Sequence, residues 1–386
     1  MTGHLSITLA VALGLLLHAT QADAGRTLTL TYSLGSTVTR DANLFRLAPD
    51  VDPLTAIGSG DRSDTVTTTS IGLIAEKELG IQRLKLDLQL STSSYRRFRR
   101  LDNDNYNFSG TWEWALGRRL HGDLSSSRRT ALTGFDDSPV TSRNINTLTV
   151  HSGNVHFEVA PDWDLFGVLS QNESLNSAAD RQTSNYSSRS IDAGLRRTSA
   201  AGLQFTLLRR RVDSALVRQD SVEAGAAYAL SPMTRLSGAL GRSRRQTDNG
   251  ATGASSGATG RLGLDWTPSP KTQFNLTARQ EISAAASNFA TTTLVRGLAF
   301  GAAWAPTEKT LLQFSVDRST RDYANDAVIN ASPRLDHLRN TGLTLSYRPD
   351  RALSLNLSLR DEARDSNLTA FVYRDRLTAA SLQFAF

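Results

Sequence analysis

Apolar and polar residues alternate with a period of two in segment after segment of this chain. Leu84, Leu86, Leu88 and Leu90 alternate with Arg83, Lys85, Asp87 and Gln89, and Phe108, Trp112 and Trp114 with Asn107, Ser109, Thr111 and Glu113. Further along, Phe274 and Leu276 alternate with Gln273, Asn275, Thr277 and Arg279, and Leu353, Leu355, Leu357 and Leu359 with Ser354, Asn356, Ser358 and Arg360. Successive side chains of a β-strand point to opposite faces, so each segment predicts a strand with one apolar and one polar face. The three- and four-residue spacing of an amphipathic helix is missing from these stretches. The pattern predicts an all-β chain.

Turn signals punctuate the strands. They fall at Leu79-Gly80, Leu116-Gly117, Pro161-Asp162, Ala201-Gly202, Ser231-Pro232, Pro268-Ser269-Pro270, Pro306-Thr307 and Pro349-Asp350. Between them lie polar stretches rich in Asn, Asp, Ser and Gly, at residues 134–144, 174–184, 246–256 and 323–336. Each unit therefore reads as a hairpin with a tight turn at one end and a longer loop at the other. Counting the units predicts about eighteen strands (16–18), an even number as in bacterial transmembrane barrels.

Composition decides what the apolar faces meet. Apolar residues make up 39% of the 386 and mean hydropathy is −0.30, too little for the solid core that a globule of this size would build. Five Trp, eight Tyr and fourteen Phe, evenly spread, speak against disorder. A transmembrane antiparallel barrel resolves the shortage by turning its apolar face to lipid and keeping a polar interior. The aromatic residues fit that choice: Trp112, Trp114, Tyr228, Trp266, Trp304 and Tyr347 sit close to the tight turns, where an interfacial girdle runs. Strand pattern continues through Leu382, Phe384 and Phe386, and a closed barrel pairs its last strand with its first.

At the other end, Leu5 to Leu17 form an apolar run too short to span a bilayer, followed by Ala22-Asp23-Ala24, a small-x-small cleavage pattern. Residues 1–24 are expected to be a signal peptide and 25–386 a single barrel domain. The expected location is the outer membrane of a Gram-negative cell, with its lipids as the first partner.

Charge and chemistry exclude several classes. The net charge is +6, but Arg is interleaved with Asp and Glu and forms no basic block, so no nucleic-acid partner is expected. The absence of Cys excludes disulfides, thiolate metal sites and a Cys nucleophile. No cofactor or metal motif is present. His151 and Ser152 are adjacent, hence on opposite strand faces, and cannot act as a base–nucleophile pair. His121 and Asp123 share a face with Ser125 and Ser127, as ordinary lumen residues do, and His156 reads likewise. Asp136-Asp137 and Asp361-Glu362 fall in loop-like polar stretches and read as solvated surface. No catalytic residue is assigned.

With the apolar residues outward, the inward set lines the lumen: Arg83, Lys85, Asp87, Gln89, Glu113, Asp123, Arg129, Arg235, Arg261, Asp265, Gln273, Asn275, Arg279, Gln313, Asp317, Asn356 and Arg360. Both charge signs mix with amides, which suit sugar hydroxyls and water equally. Arg296 falls on the outward phase near a loop, where it could meet lipid phosphate. Phase slips at His151 to Asn154 and at Arg209-Arg210-Arg211 predict bulges.

The terminal Phe386 on an alternating strand looks like the assembly signal that outer-membrane proteins present to the barrel-assembly machinery. DANLFRL (Asp41 to Leu47), YNFSGTWEWALGRRLHGDLSSSRR (Tyr106 to Arg129) and ATGRLGLDWTPSPKTQFNLTARQE (Ala258 to Glu281) resemble the EpsL-type, exosortase-associated outer-membrane barrels of exopolysaccharide operons. That resemblance implies a role in exopolysaccharide biosynthesis and secretion, as a passive conduit working with polysaccharide export components. The alternative is a general diffusion porin for small solutes. A constricting loop at residues 40–62 suits either.

Overall fold

The computed structural model describes residues 28–136, 141–215, 217–247, 255–283, 292–324 and 334–386. The expected leader at residues 1–24 lies outside them, and so does Asp137. Eighteen strands run through the described residues: β1 (Leu28–Asp41), β2 (Asp64–Leu79), β3 (Gln82–Tyr95), β4 (Asn103–Leu116), β5 (Leu120–Leu132), β6 (Ile145–Ala160), β7 (Trp163–Asn176), β8 (Tyr186–Thr198) and β9 (Gln204–Ser214). The second half comprises β10 (Val217–Ser231), β11 (Thr234–Thr247), β12 (Ser255–Ser269), β13 (Thr272–Ser283), β14 (Thr292–Thr307), β15 (Thr310–Ala324), β16 (Arg334–Tyr347), β17 (Leu353–Ser366) and β18 (Tyr373–Ala385). A short helix, α1 (Pro53–Ile57), lies between β1 and β2.

Each strand pairs antiparallel with its sequence neighbours, and β1 also pairs with β18, which closes the sheet into a barrel. Closure removes the unpaired edge that could not exist in lipid. Phe386 completes it beyond the last strand: its N–H donates to the Tyr32 carbonyl at 3.0 Å, and the Tyr32 N–H donates to the Phe386 carbonyl at 2.8 Å. Among the described residues no helix is long and apolar enough to cross a membrane; the strands do the crossing.

Local chemistry explains the hairpins. Leu79 and Gln82 pair across Gly80-Ile81, and Gly80 takes φ 70° at the first central position, where a two-residue hairpin favours glycine. Register shifts sit beside the tight turns, at Trp266/Ser269 around Pro268 and at Trp304/Thr307 around Pro306. Proline lacks the N–H the ladder needs, so the bulge is where the sheet tolerates it. Another shift lies at Glu158/Ala160. The bulges expected at 151–154 and 209–211 do not occur: pairing is unshifted through both. His151, Arg209 and Arg211 simply occupy the outward phase, on rows shared with Ser126, Val222 and Ile191.

Toward the short turns the outward rows are apolar. Leu34 pairs with Phe384 and Leu276 with Phe300, all exposed to the surroundings, and half-buried Leu84 pairs with exposed Trp112. Trp266, Phe274, Phe300 and Phe314 form a continuous outward row of ring contacts, stacked at 5.3 and 6.2 Å and edge-on at 6.4 Å. Trp112, Trp163, Tyr228, Trp266, Trp304 and Tyr347 ring the short-turn end, and Tyr32 stacks on Phe386 there at 6.0 Å. That end faces the periplasm and the long loops face outside, as short turns and long loops distribute in such barrels.

Candidate pore and its constricted mouth

The described residues bury an apolar cluster at the long-loop end. Leu44, Phe45, Ile57, Phe98, Leu101 and Phe135 form one buried cluster, drawn from the β1–β2, β3–β4 and β5–β6 connections. Three separate loops therefore fold inward and share a small apolar core at the mouth of a barrel whose inner wall is polar.

The first loop is built by the DANLFRL segment. Asn43 closes its turn on itself: Oδ1 accepts from the Leu47 N–H at 3.0 Å, and Nδ2 donates to the Leu47 carbonyl at 2.9 Å. Its own N–H donates to Asp41 and to Asp375 of β18. Phe45 packs edge-on against Phe98 at 4.8 Å and tilted against Phe135 at 4.6 Å, with the Arg100 guanidinium 5.4 Å from its ring. Burying Phe45, 3% exposed, contributes about 2 kcal/mol. Arg46, at φ 54°, turns back toward the wall. It reaches Asp41 at 3.0 Å, Asp375 at 3.1 Å and Glu362 of β17 at 3.5 Å. Burial alone would lower its basicity, but the surrounding carboxylates outweigh it and hold the guanidinium protonated above its usual range. The rest of the loop is clamped by Arg62, which donates to the carbonyls of Ala48, Pro49 and Val51. Asp52 caps α1.

A second cluster continues along the wall. Arg334 and Asp336 of β16 form a bidentate pair with a closest approach of 2.6 Å, and Arg364 of β17 lies 3.8 Å from Asp336. Arg334 also stacks on Phe371, 3.5 Å from its centroid. Buried and exposed residues alternate strictly over Arg334–Arg339, because the inward side chains lie beneath the folded loops while the outward ones stay open. Asp361 and Glu362, read from sequence as solvated surface in a loop, belong instead to β17 and point to opposite faces. Glu362 is buried against Arg46 and Arg360, and Asp361 pairs outward with Arg376 at 3.3 Å.

Below the mouth, the residues expected to line the lumen lie on the phase opposite the apolar rows. Arg83, Lys85, Asp87 and Gln89 share rows with Glu113, Thr111, Ser109 and Asn107; Asp123 lies opposite Glu113, and Arg129 opposite Asn107. Arg235 and Asp265 share a row, as do Arg261 and Arg279, Asp265 and Asn275, and Gln273 and Ala303, next to Gln313. Asp317 lies on β15, and Asn356 and Arg360 on β17. None of these seventeen is buried. Some pair: Arg83 and Lys85 with Glu76 at 2.8 and 3.2 Å, Arg279 with Asp317 at 3.2 Å, Arg360 with Glu362 at 2.7 Å. The others are spread around the wall and are not gathered into one site.

His121 stacks on His156 at 5.2 Å, and His156 hydrogen-bonds Asp164 at 2.8 Å. Asp164 had no signal in the sequence as a partner, since the pairing depends on the β6–β7 register. Gly194 leaves room for the Phe166 ring beneath His156: a Cβ there would lie 2.2 Å from that ring. Among the described residues no group of three or more His, Asp and Glu could hold a metal ion.

An eighteen-stranded closed sheet with a polar, accessible inner wall and loops folded over one mouth defines a porin-type outer-membrane barrel. Residues 169–386 match the family described as Putative beta-barrel porin 2, more than half of the chain, and the chain belongs to that family. No curated protein sequence matches it. Its fold is similar to OccK2 (OpdF) of Pseudomonas aeruginosa, with TM-score 0.57 and 12% identity over 92% of this chain and 98% of that one. OccAB3 of Acinetobacter baumannii gives 0.54 and 8% over 93% and 99%. OpdK of Pseudomonas aeruginosa, solved with vanillate, gives 0.52 and 11% over 92% and 98%. The chain is an outer-membrane β-barrel of a porin family.

Proposed function

We propose that the protein is a passive diffusion channel for small polar solutes, gated in size by the β1–β2 loop. The observation that carries this reading is the contrast between the two levels of the lumen. The inner wall offers dispersed, accessible groups of both signs, whereas the mouth is narrowed by three loops locked together by buried charges and aromatic rings. Conduction favours weak contacts repeated along a path over one tight site, and rows such as Gln273, Asn275 and Arg279 supply them. Solutes meet the constriction first, so the mouth sets the size limit and the wall sets the charge preference.

Family membership supports this porin reading better than the polysaccharide conduit that the EpsL-type resemblance implied. A polymer chain would have to thread past the packed Phe45–Phe98–Phe135 cluster, whereas small solutes need only the space beside it. Liposome swelling with sugars and amino acids of graded size tests the proposal: uptake falling steeply with solute size supports it. Normal swelling rates only after loop removal, together with loss of secreted polysaccharide in a deletion strain, would favour the conduit instead.

A further inference from the structure

The outward wall carries arginines where the apolar band ends. Arg318 of β15 and Arg339 of β16 are directly opposite one another in the ladder, and Arg339 and Arg374 flank Ala363 in the same transverse row. The adjacent row toward the loops holds Arg296, Thr320, His337 and Asp365. All four Arg are exposed. Arg296 is held by Gln280 at 3.0 Å, and among the described residues no ion pair joins Arg318, Arg339 or Arg374 to a carboxylate. Like charges directly opposite on a sheet repel and destabilise it, so this row is costly without an anion.

These side chains rim a hollow of about 860 Å³ on the outside of the barrel. Beside and below them its wall is apolar and small: Leu240, Gly260, Leu262, Ala278 and Leu298. Eight positions separate Arg296 from the girdle residue Trp304 on β14. At about 3.3 Å per residue and a tilt of about 40° that is about 20 Å along the membrane normal, roughly the height of the apolar band. Arg296 therefore stands near the headgroup level of the outer leaflet; Arg318 and Arg339, one row closer to the middle of the band, carry long side chains that extend their charge up to it, above a groove that begins in the acyl region.

We infer that this groove binds a phosphorylated, multiply acylated glycolipid, the lipid A portion of lipopolysaccharide. Guanidinium groups match phosphate oxygens two at a time, the closely set Arg318 and Arg339 suit one phosphate, and Arg296 and Arg374 extend the rim for a second. Acyl chains lie over Leu262, Ala278 and Leu298. Among the described residues Asp365 is the one carboxylate lining the hollow, so their charge balance stays positive.

The test uses the full barrel in detergent and the double variant Arg318→Gln/Arg339→Gln, titrated with lipid A and followed by thermal unfolding and native mass spectrometry. Wild type is expected to bind lipid A and gain thermal stability, and the double variant to bind roughly tenfold or more weakly. Arg318→Lys/Arg339→Lys, which keeps charge but loses the fork, should fall between them. Lipid A stripped of its phosphates should bind no better to wild type than to the variant. Equal binding by wild type and the Gln variant overturns the inference, as does protection of equal size by inorganic phosphate alone, which would mark a simple anion site. Pore conductance should be the same in all variants, because these residues lie outside the lumen; the result is thus separable from the channel proposal.

Discussion

Arg364 on β17 donates to the main-chain carbonyl of Asp136, in the loop after β5, at 2.5 Å. Six strand-to-strand steps separate those two strands around the wall, so the bond crosses the mouth as a chord. It ties the loop after β5 to the Arg334–Asp336–Arg364 cluster on the opposite wall.

Arg364 is 1% exposed and sits beside Asp336, which is fully buried. Asp336 keeps its bidentate pair with Arg334, so Arg364→Ala should cost about 1–3 kcal/mol locally, by removing one charged neighbour and the bond to the Asp136 carbonyl. Strands would stay paired while the loop after β5 detaches. Limited proteolysis of the purified barrel should cut between residues 133 and 144 at least tenfold faster than in wild type, with unchanged β-sheet circular dichroism. Equal cleavage rates would show that the chord does not hold the loop.

The α1 cap makes a pH prediction. The Asp52 carboxylate accepts from Thr55 Oγ1 and from the N–H groups of Leu54 and Thr55, which hold its pKa below the usual carboxylate range. A depressed folded pKa contributes stability that is present above the unfolded value, about 4, and is lost as pH falls through the folded one. Hydrogen exchange at Leu54 and Thr55 should stay protected down to about pH 4 and open below it. In Asp52→Asn the acid-induced opening should vanish; if it persists, another group drives it.

Arg279 and Asp317 face each other across β14, each about a quarter exposed. An ion pair this wet contributes about 1 kcal/mol or less, so Arg279→Gln should leave stability nearly unchanged. It leaves Asp317 unpaired on the lumen wall. Reversal potentials under a salt gradient should shift toward cation preference, and Asp317→Asn should shift them the other way. No shift in either variant would place the pair outside the conducting path.

Closure rests on the last strand. Without residues 377–386, β1 and β17 each lose most of a partner, and unpaired edges are not tolerated in lipid. The truncated chain should give no heat-modifiable band in outer-membrane fractions. A folded band would contradict the β1–β18 closure.

The fold was legible because the membrane enforces a period of two: where lipid is on one side and water on the other, every second residue must be apolar. Above the apolar band that rule lapses. His151, Arg209 and Arg211 are outward yet polar, so the alternation fades there and imitates a register slip although the ladder continues unbroken. Asp361-Glu362 looked like a loop for the same reason. The inward phase of residues such as Arg83 and Asn275 followed from the alternation. The mouth cluster did not, because Asn43 and Asp375 meet across 332 residues of sequence and no local pattern marks such a contact. DANLFRL stood out only as a resemblance; its work of folding the loop inward emerges from the bonds of Asn43 and Arg46.

Single-channel recording in planar bilayers, comparing wild type with Arg46→Met, tests the central claim most directly. Met fills much of the same space but leaves Asp41, Glu362 and Asp375 without the cation that holds them. Wild type is predicted to form ion-conducting pores of small, steady conductance, and Arg46→Met to conduct at least twofold more with frequent switching between levels. Barrels that insert yet carry no current in either form, with the loop demonstrably released in the variant, would contradict the channel.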